Sequence, residues 1–411
     1  MLRKLFLAIS YLLIVLISSA QNKNLQNGEW RAVLERADGN NIVFNFEVKD
    51  SAGKKILYIE NASEKLLVDD IKLIGDSIII KLPFFESQLH LFKKNDTDFE
   101  GIYLKRLADN YQVMPLHIYY QQNFRFPILQ NPTNINVTGR WAAIFWSDNS
   151  KDSTADVGEF IQDGNNVTGT FLDPTGDFRF LQGVVDGDSL KLSSFDGGHA
   201  YLFTAKVEND KMNGLHFSGP TFKNNWVAKR DENAKLPDEF SLTKMKPGKS
   251  KLNFSFRDIN GKIVSLKDDR YKNKVVLIQI MGSWCPNCMD ETALLTKFYD
   301  EYKNKGVEII GLAYERSTDF VRSQKSLSSF QKRFDVHYEI LITGVSVNDS
   351  LRTKKTLPQL EDIVGFPTTI FIDKKGEVAK IHTGFNGPGT GEHYDEQKKE
   401  FYGIVNELLA K

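Results

Sequence analysis

The chain carries two cysteines, and they stand three apart in Gly282-Ser283-Trp284-Cys285-Pro286-Asn287-Cys288. Two thiols at that spacing can carry out disulfide exchange. One attacks a disulfide; the other, a helical turn away, expels the product and closes a new disulfide. Two blander uses of the pair are weaker. A zinc site needs two further ligands, and the seven histidines (His90, His117, His199, His216, His337, His382, His393) show no paired metal spacing. A purely structural bridge would close so small a loop that it would constrain little of the unfolded chain. The pair therefore reads as a redox-active disulfide. Because the sulfurs are themselves the redox group, no cofactor or metal is expected.

The flanking residues predict how the pair is positioned. Val275 to Met281, apolar apart from Gln279, reads as a buried strand leading into the motif. Leu294, Leu295, Phe298 and Tyr299 then recur at helical spacing. A strand running through Cys-x-x-Cys into a helix puts the thiols at a helix N-terminus, where unpaired amides and the positive dipole end favour the thiolate. Pro286 suits the first helical position, since its missing N–H would have had no partner there. Further strands are expected over 308–313, 338–342 and 367–373, with a hairpin from 252 to 266 and another turning at 374–376. Helices are expected over 320–334 and 394–409. Strands alternating with helices predict a central sheet covered on both faces.

On these residues and elements, the stretch 251–411 resembles the α/β thioredoxin-like fold, specifically the exported TlpA/ResA-type thiol–disulfide oxidoreductases. Trp284-Cys285-Pro286-Asn287-Cys288 is similar to the family's active site. Gly365-Phe366-Pro367-Thr368-Thr369 with Phe371-Ile372-Asp373 is similar to its second signature. The resemblance implies that Cys285 is the attacking thiol, in an exposed first turn, and that the more buried Cys288 resolves the mixed disulfide. It implies a cis-proline at Pro367, packed against the pair, and a substrate surface made by Trp284, Pro286, Phe366 and Pro367, with Ser283 beside them. Glu291 stands three residues after Cys288, on the same helix face, where the family carries a glutamate able to move the proton of Cys288. Its plainer reading is a surface carboxylate favoured by the helix dipole.

Two residues depart from the pattern. Gln279 replaces the buried aspartate of thioredoxin and can bond but not exchange a proton. Ala293 replaces a proline that often follows the glutamate and kinks the helix. The peroxiredoxins, which share the fold, need a threonine where Gly282 stands. The expected partners are cysteine-containing exported proteins, reduced by this chain, and a membrane-bound or periplasmic electron donor.

The remaining sequence bears on location and organisation. Arg3 and Lys4 precede an apolar stretch from Leu5 to Ile17, followed by Ser18-Ser19-Ala20. That stretch, about 13 residues, falls short of the ~20 needed to span a bilayer. Residues 1–20 read as a signal peptide with a mature start at Gln21, hence a periplasmic protein; an uncleaved anchor is the alternative. An exported chain that uses no other cysteine leaves the pair nothing internal to scramble with. Acidic and basic residues balance at 53 each, so no basic excess points to nucleic acid.

Residues 21–130 and 137–230 read as two small all-β domains, barrel or sandwich, and as a tandem duplication. Gly28-Glu29-Trp30 recurs as Gly139-Arg140-Trp141, Gly75-Asp76-Ser77 as Gly187-Asp188-Ser189, and Phe99-Glu100-Gly101 as Met212-Asn213-Gly214. Asp38-Gly39 and Asp163-Gly164 precede alternating runs, a hairpin signal. Trp30 and Trp141 read as core plugs rather than ligand contacts. Residues 231–250, charged and broken by Pro237, Pro247 and Gly248, read as a linker. An alternative function follows from this layout: a ligand- or partner-binding protein in which the β domains carry the activity and the dithiol module senses redox state or docks.

Overall fold

The computed structural model describes residues 25–83, 86–129, 133–148 and 152–411; the expected signal segment lies outside them. Nine antiparallel strands, from β1 (Gly28–Leu34) to β9 (Tyr111–Tyr120), form the first sheet. Successive strands pair, except β4 (Glu64–Val68) and β5 (Asp70–Ile74), and β9 returns to pair with β1 from Trp30↔Tyr120 to Leu34↔Leu116. The result is an up-and-down barrel open at one seam. Strand side chains alternate between faces, so Trp30, Ala32 and Leu34 point inward and are fully buried.

The second sheet runs from β10 (Gly139–Trp146) to β18 (Phe222–Arg230). There β11 (Ser153–Asp163) pairs with both β10 and β12 (Asn166–Asp173), and β18 pairs with β10, so the meander closes. A two-residue strand, β13 (Gly176–Asp177), folds back on β12 before β14 (Leu181–Asp186) continues the barrel. Rings fill its interior: Phe171 lies 5.1 Å from Phe145, 5.1 Å from Phe203 and 5.2 Å from Trp226, at stacked or edge geometries. Trp30 and Trp141 are both fully buried, and each indole N–H donates to the carbonyl four residues earlier, Gln26 at 3.0 Å and Val137 at 2.9 Å.

The two β units share a core. Phe195 of the second stacks on Phe44 of the first at 4.1 Å, and its backbone exchanges hydrogen bonds with the Asn61 amide. Arg125, 4% exposed, donates to the carbonyls of Val43 and Ser193 and so bridges them.

The third sheet comprises β19 (Ser255–Asp258), β20 (Ile263–Ser265), β21 (Val275–Met281), β22 (Val307–Ala313), β23 (Glu339–Ile342), β24 (Thr368–Ile372) and β25 (Val378–Thr383). Its order is β20-β19-β23-β22-β21-β24-β25, with β21, β22 and β23 parallel and β24 and β25 antiparallel. Helices α1 (Pro286–Tyr302), α2 (Phe320–Phe334) and α4 (Glu392–Ala410) pack their apolar faces on one side. The other side is covered by Leu252 and Phe254, ahead of β19, and by Leu357, Leu360 and Ile363, which follow the five-residue helix α3 (Arg352–Thr356). Both faces are covered as the alternation implies, one of them by irregular chain. The segment 231–250 lies against this unit: Thr383 N donates to Glu239 O at 3.1 Å, Val378 N to Ser250 O at 2.8 Å, and Met245 bridges Leu360.

Candidate active site

Strand β21 lies inside the third sheet, between β22 and β24, and the chain leaves its end through Gly282 to Trp284 and enters α1. Cys285 is the N-cap of α1, with φ −103° and ψ 116°, and its Sγ accepts from the backbone N–H of Cys288 at 3.2 Å. Cys285 and Cys288 are joined by a disulfide, Cα to Cα 5.2 Å. Once the pair is reduced, that amide and the helix N-terminus favour negative charge on the Cys285 sulfur.

The approach to the helix is tied down. Glu315 accepts from Ser283 N at 2.8 Å and from Ser283 Oγ at 2.7 Å, and Trp284 Nε1 donates to Tyr314 O at 2.8 Å. The Trp284 ring stands edge-on to Phe366 at 5.5 Å. The Phe366–Pro367 peptide is cis, and Phe366 O lies 3.7 Å from Cys285 Sγ. Trp284, Cys285, Pro286, Phe366 and Pro367, named from the sequence, thus meet at one place.

Glu291 is fully buried, so the surface reading of this residue is excluded. Thr369 Oγ1 donates to Glu291 Oε1 at 2.6 Å and Gln279 Nε2 to Glu291 Oε2 at 2.8 Å. The same Gln279 nitrogen lies 3.3 Å from Cys288 O, and Thr292 Oγ1 donates to Gln279 Oε1 at 3.1 Å. Burial pushes the Glu291 carboxyl up to about 7, although the Thr369 and Gln279 bonds pull it back. An acid at that value gains or loses a proton near neutrality, one turn of α1 after Cys288. Helix α1 runs unbroken through Ala293.

One expectation is overturned. Cys285 does not lie in an exposed turn; it is 3% exposed, and Cys288 is fully buried. The tip between β12 and β14, residues 173–179, sits beside it on the start of α1. With the Asn287 amide oriented to satisfy Asp177, its oxygen accepts from Asp177 N at 2.6 Å and its nitrogen donates to Asp177 O at 3.2 Å. The opposite orientation offers only a 3.3 Å bond to Phe385 O. Arg179 pairs with Asp290 of α1 and with Glu64 of β4. Nothing local in the sequence marks Asp177, Arg179 or Asp290 as neighbours of the dithiol. Asp173-Pro174-Thr175-Gly176 reads as a turn, and a turn signal does not say what packs on it.

Among the described residues, Glu239, His382 and Glu400 bring three ligand atoms within 4.8 Å of one another, as do Glu29, Glu47 and Glu60. Neither group includes a cysteine.

Residues 246–397 match the Redoxin family. The chain is 31% identical over 157 residues to the thiol-disulfide oxidoreductase ResA of Bacillus thuringiensis, a match covering 38% of this chain and 79% of that protein. It is 30% identical over 138 residues to ResA of Halalkalibacterium halodurans, covering 33% and 68%. Among solved structures, a thiol-disulfide oxidoreductase from Bacteroides fragilis aligns at 21% identity over 37% of this chain and 99% of that one, with a TM-score of 0.29.

Proposed function

Because the chain belongs to the ResA-type, thioredoxin-like thiol–disulfide oxidoreductases, we propose that Cys285 and Cys288 pass electrons to cysteines of other exported proteins, with the chain acting as a reductase. The observation that carries this reading is the disulfide capping α1 beside a buried carboxylic acid that titrates near neutrality.

The steps follow from those residues. In the reduced chain the Cys285 thiolate attacks a substrate disulfide. That S–S bond breaks, a Cys285–substrate disulfide forms, and the first substrate sulfur leaves as a thiolate that takes a proton from water. Glu291 then receives the proton of Cys288, whose thiolate attacks the Cys285 sulfur. The intramolecular disulfide closes and the second substrate sulfur leaves, so two electrons have moved from dithiol to substrate. Trp284, Pro286, Phe366 and Pro367 form the contact surface for the incoming chain. An external donor resets the pair.

Export rests on the basic, then apolar, then small-residue order of residues 3–20; no helix among the described residues is long and apolar enough to cross a membrane. A tandem origin of the two β units is supported by their matched first strands, where Gly28 and Gly139 both hold positive φ (+126° and +117°) ahead of a buried tryptophan.

The test is the Cys288→Ser variant of the full chain, incubated with an exported fraction and resolved without reductant. The reading requires trapped mixed disulfides that Cys285→Ser abolishes. Titration of the wild-type couple against dithiothreitol then sets the direction. A potential near −270 mV supports a reductase, and one near −120 mV would instead mark an oxidant, about the values of thioredoxin and a strong periplasmic oxidase.

A further inference from the structure

The tip of residues 173–179 belongs to the second β barrel, yet its outward contacts are with the dithiol unit and, through Arg179, with Glu64 of the first sheet. Asp173 Oδ1 accepts from both Thr175 N and Thr175 Oγ1 at 2.6 Å, which folds the turn. Gly176, at φ +152°, follows; a Cβ there would overlap the Asn287 amide, so only glycine lets the tip's backbone meet that side chain this closely. Phe178 returns to the barrel interior, 5.3 Å from Phe203, and anchors the tip from behind.

Three segments of the dithiol unit receive it. The first is the Cys-x-x-Cys turn, where Asn287 pairs with both backbone groups of Asp177 and Arg179 Nη1 reaches Pro286 O at 3.4 Å. The second precedes the cis-proline: a Cβ on Gly365 would collide with Thr175. The third follows β25, where the Thr175 backbone packs on Gly384 and Asp177 Oδ2 accepts from Gly387 N at 2.7 Å. These segments enclose the contact surface assigned above to substrate. The tip borders that surface, touching it at Pro286, and its main chain at Asp177 is read by the Asn287 side-chain amide.

The docked state is held under strain. Arg179 keeps φ +58°, a left-handed backbone that a residue with a side chain holds only where its surroundings enforce it. Those surroundings are Asp290 on α1 and Glu64 on the first sheet, so one guanidinium joins all three units. Strand β13 is pinned to β12 by two residue pairs, Leu172↔Asp177 and Asp173↔Gly176, and Phe178 N donates to Phe171 O at 2.9 Å just beyond them. A two-residue ladder with most of its contacts outward is the part of this barrel that can leave without unfolding the rest.

Building on the proposed oxidoreductase function, we propose that the tip Asp173–Arg179 is an intramolecular occupant of the substrate groove and its specificity element. Cysteine-bearing proteins reach Cys285 only by displacing it, presenting an extended segment whose main chain replaces Asp177 against Asn287. Small disulfides, which need no groove, gain less from its removal.

The experiment compares reduced wild-type and Gly176→Ala full-length chains on two probes, insulin and cystine. The added methyl removes the pairing with Asn287 and presses on Phe385 O, which weakens the seat of the tip. Rates on the protein disulfide scale with the fraction of open chains, so insulin reduction should rise about tenfold or more, and cystine reduction distinctly less. Equal insulin rates in a folded variant overturn the proposal. Should Gly176→Ala not fold, hydrogen exchange on Cys288→Ser carrying a trapped protein substrate decides. Loss of protection across 173–179 supports displacement, and unchanged protection refutes it. A chain in which no mixed disulfide forms at all instead overturns the oxidoreductase reading on which this one rests.

Discussion

Glu291 concentrates the chemistry of this protein in one carboxyl group. It titrates at about 7 in the folded chain against an ordinary value of 4.5, raised by burial. Between those values the folded chain keeps a proton that the unfolded chain has lost. Stability owed to this group is therefore full below pH ~4.5 and falls as pH rises to about 7, by on the order of 3 kcal/mol in all. Glu291→Gln removes that slope. Measured by urea midpoints, its stability relative to wild type should climb between pH 5 and 7, while Asp177 and Asp156, buried acids raised to about 7 and about 8, titrate alike in both chains. The same variant loses the proton acceptor for Cys288, so reduction of insulin should slow by about 100-fold or more and the Cys285 mixed disulfide should accumulate. Thr369→Val gives a graded case. Without the 2.6 Å bond that favours the carboxylate, the alkaline shift of Glu291 should grow, moving the activity midpoint to higher pH. An unmoved profile would show that another group sets it.

At the scale of elements, α1 and its approach work as one piece. Pro286 starts the helix, Cys285 caps it through sulfur, and the preceding loop is held by Glu315 taking both donors of Ser283. Glu315→Ala leaves a half-buried amide and hydroxyl of Ser283 without this partner, a loss of about 1 kcal/mol that a urea titration would read. The strands were legible because β21 is apolar on both faces save Gln279, and α1 because its apolar residues keep helical spacing. Gln279 is the exception that fits the site: it points to the helix side of the sheet, where its amide reaches both Glu291 and the backbone of Cys288. Less legible was α3 with the Leu357-to-Ile363 stretch, which covers a sheet face without periodicity because its side chains pack one by one.

At the scale of the whole molecule, Arg179 is the joint. Arg179→Met would leave Asp290 and Glu64 as uncompensated buried charges, a loss of about 3–5 kcal/mol in thermal or urea unfolding. The triple change with Asp290→Asn and Glu64→Gln should restore much of it, since neutral groups carry no such desolvation penalty. If the triple variant is no more stable than Arg179→Met, packing rather than charge holds the joint. The β units also protect their own cores: Phe171→Ala, amid Phe145, Phe203 and Trp226, should lose about 3–5 kcal/mol.

The sequence by itself determined the reactive pair, the cis-proline signature, the glutamate one turn on and the alternation that builds the sheet around them. These are local patterns, carried by residue types at short spacings. It also pointed to strand-rich units with buried tryptophans near their starts. Only the tertiary structure decided that the first barrel stays open between β4 and β5, that the two β units share a core through Phe44 and Phe195, and that residues 173–179 pack on the start of α1. Asp177 meets Asn287, and Arg179 meets Glu64, across more than a hundred residues of chain. Such contacts arise from how folded surfaces fit together, and no spacing along the chain encodes that fit.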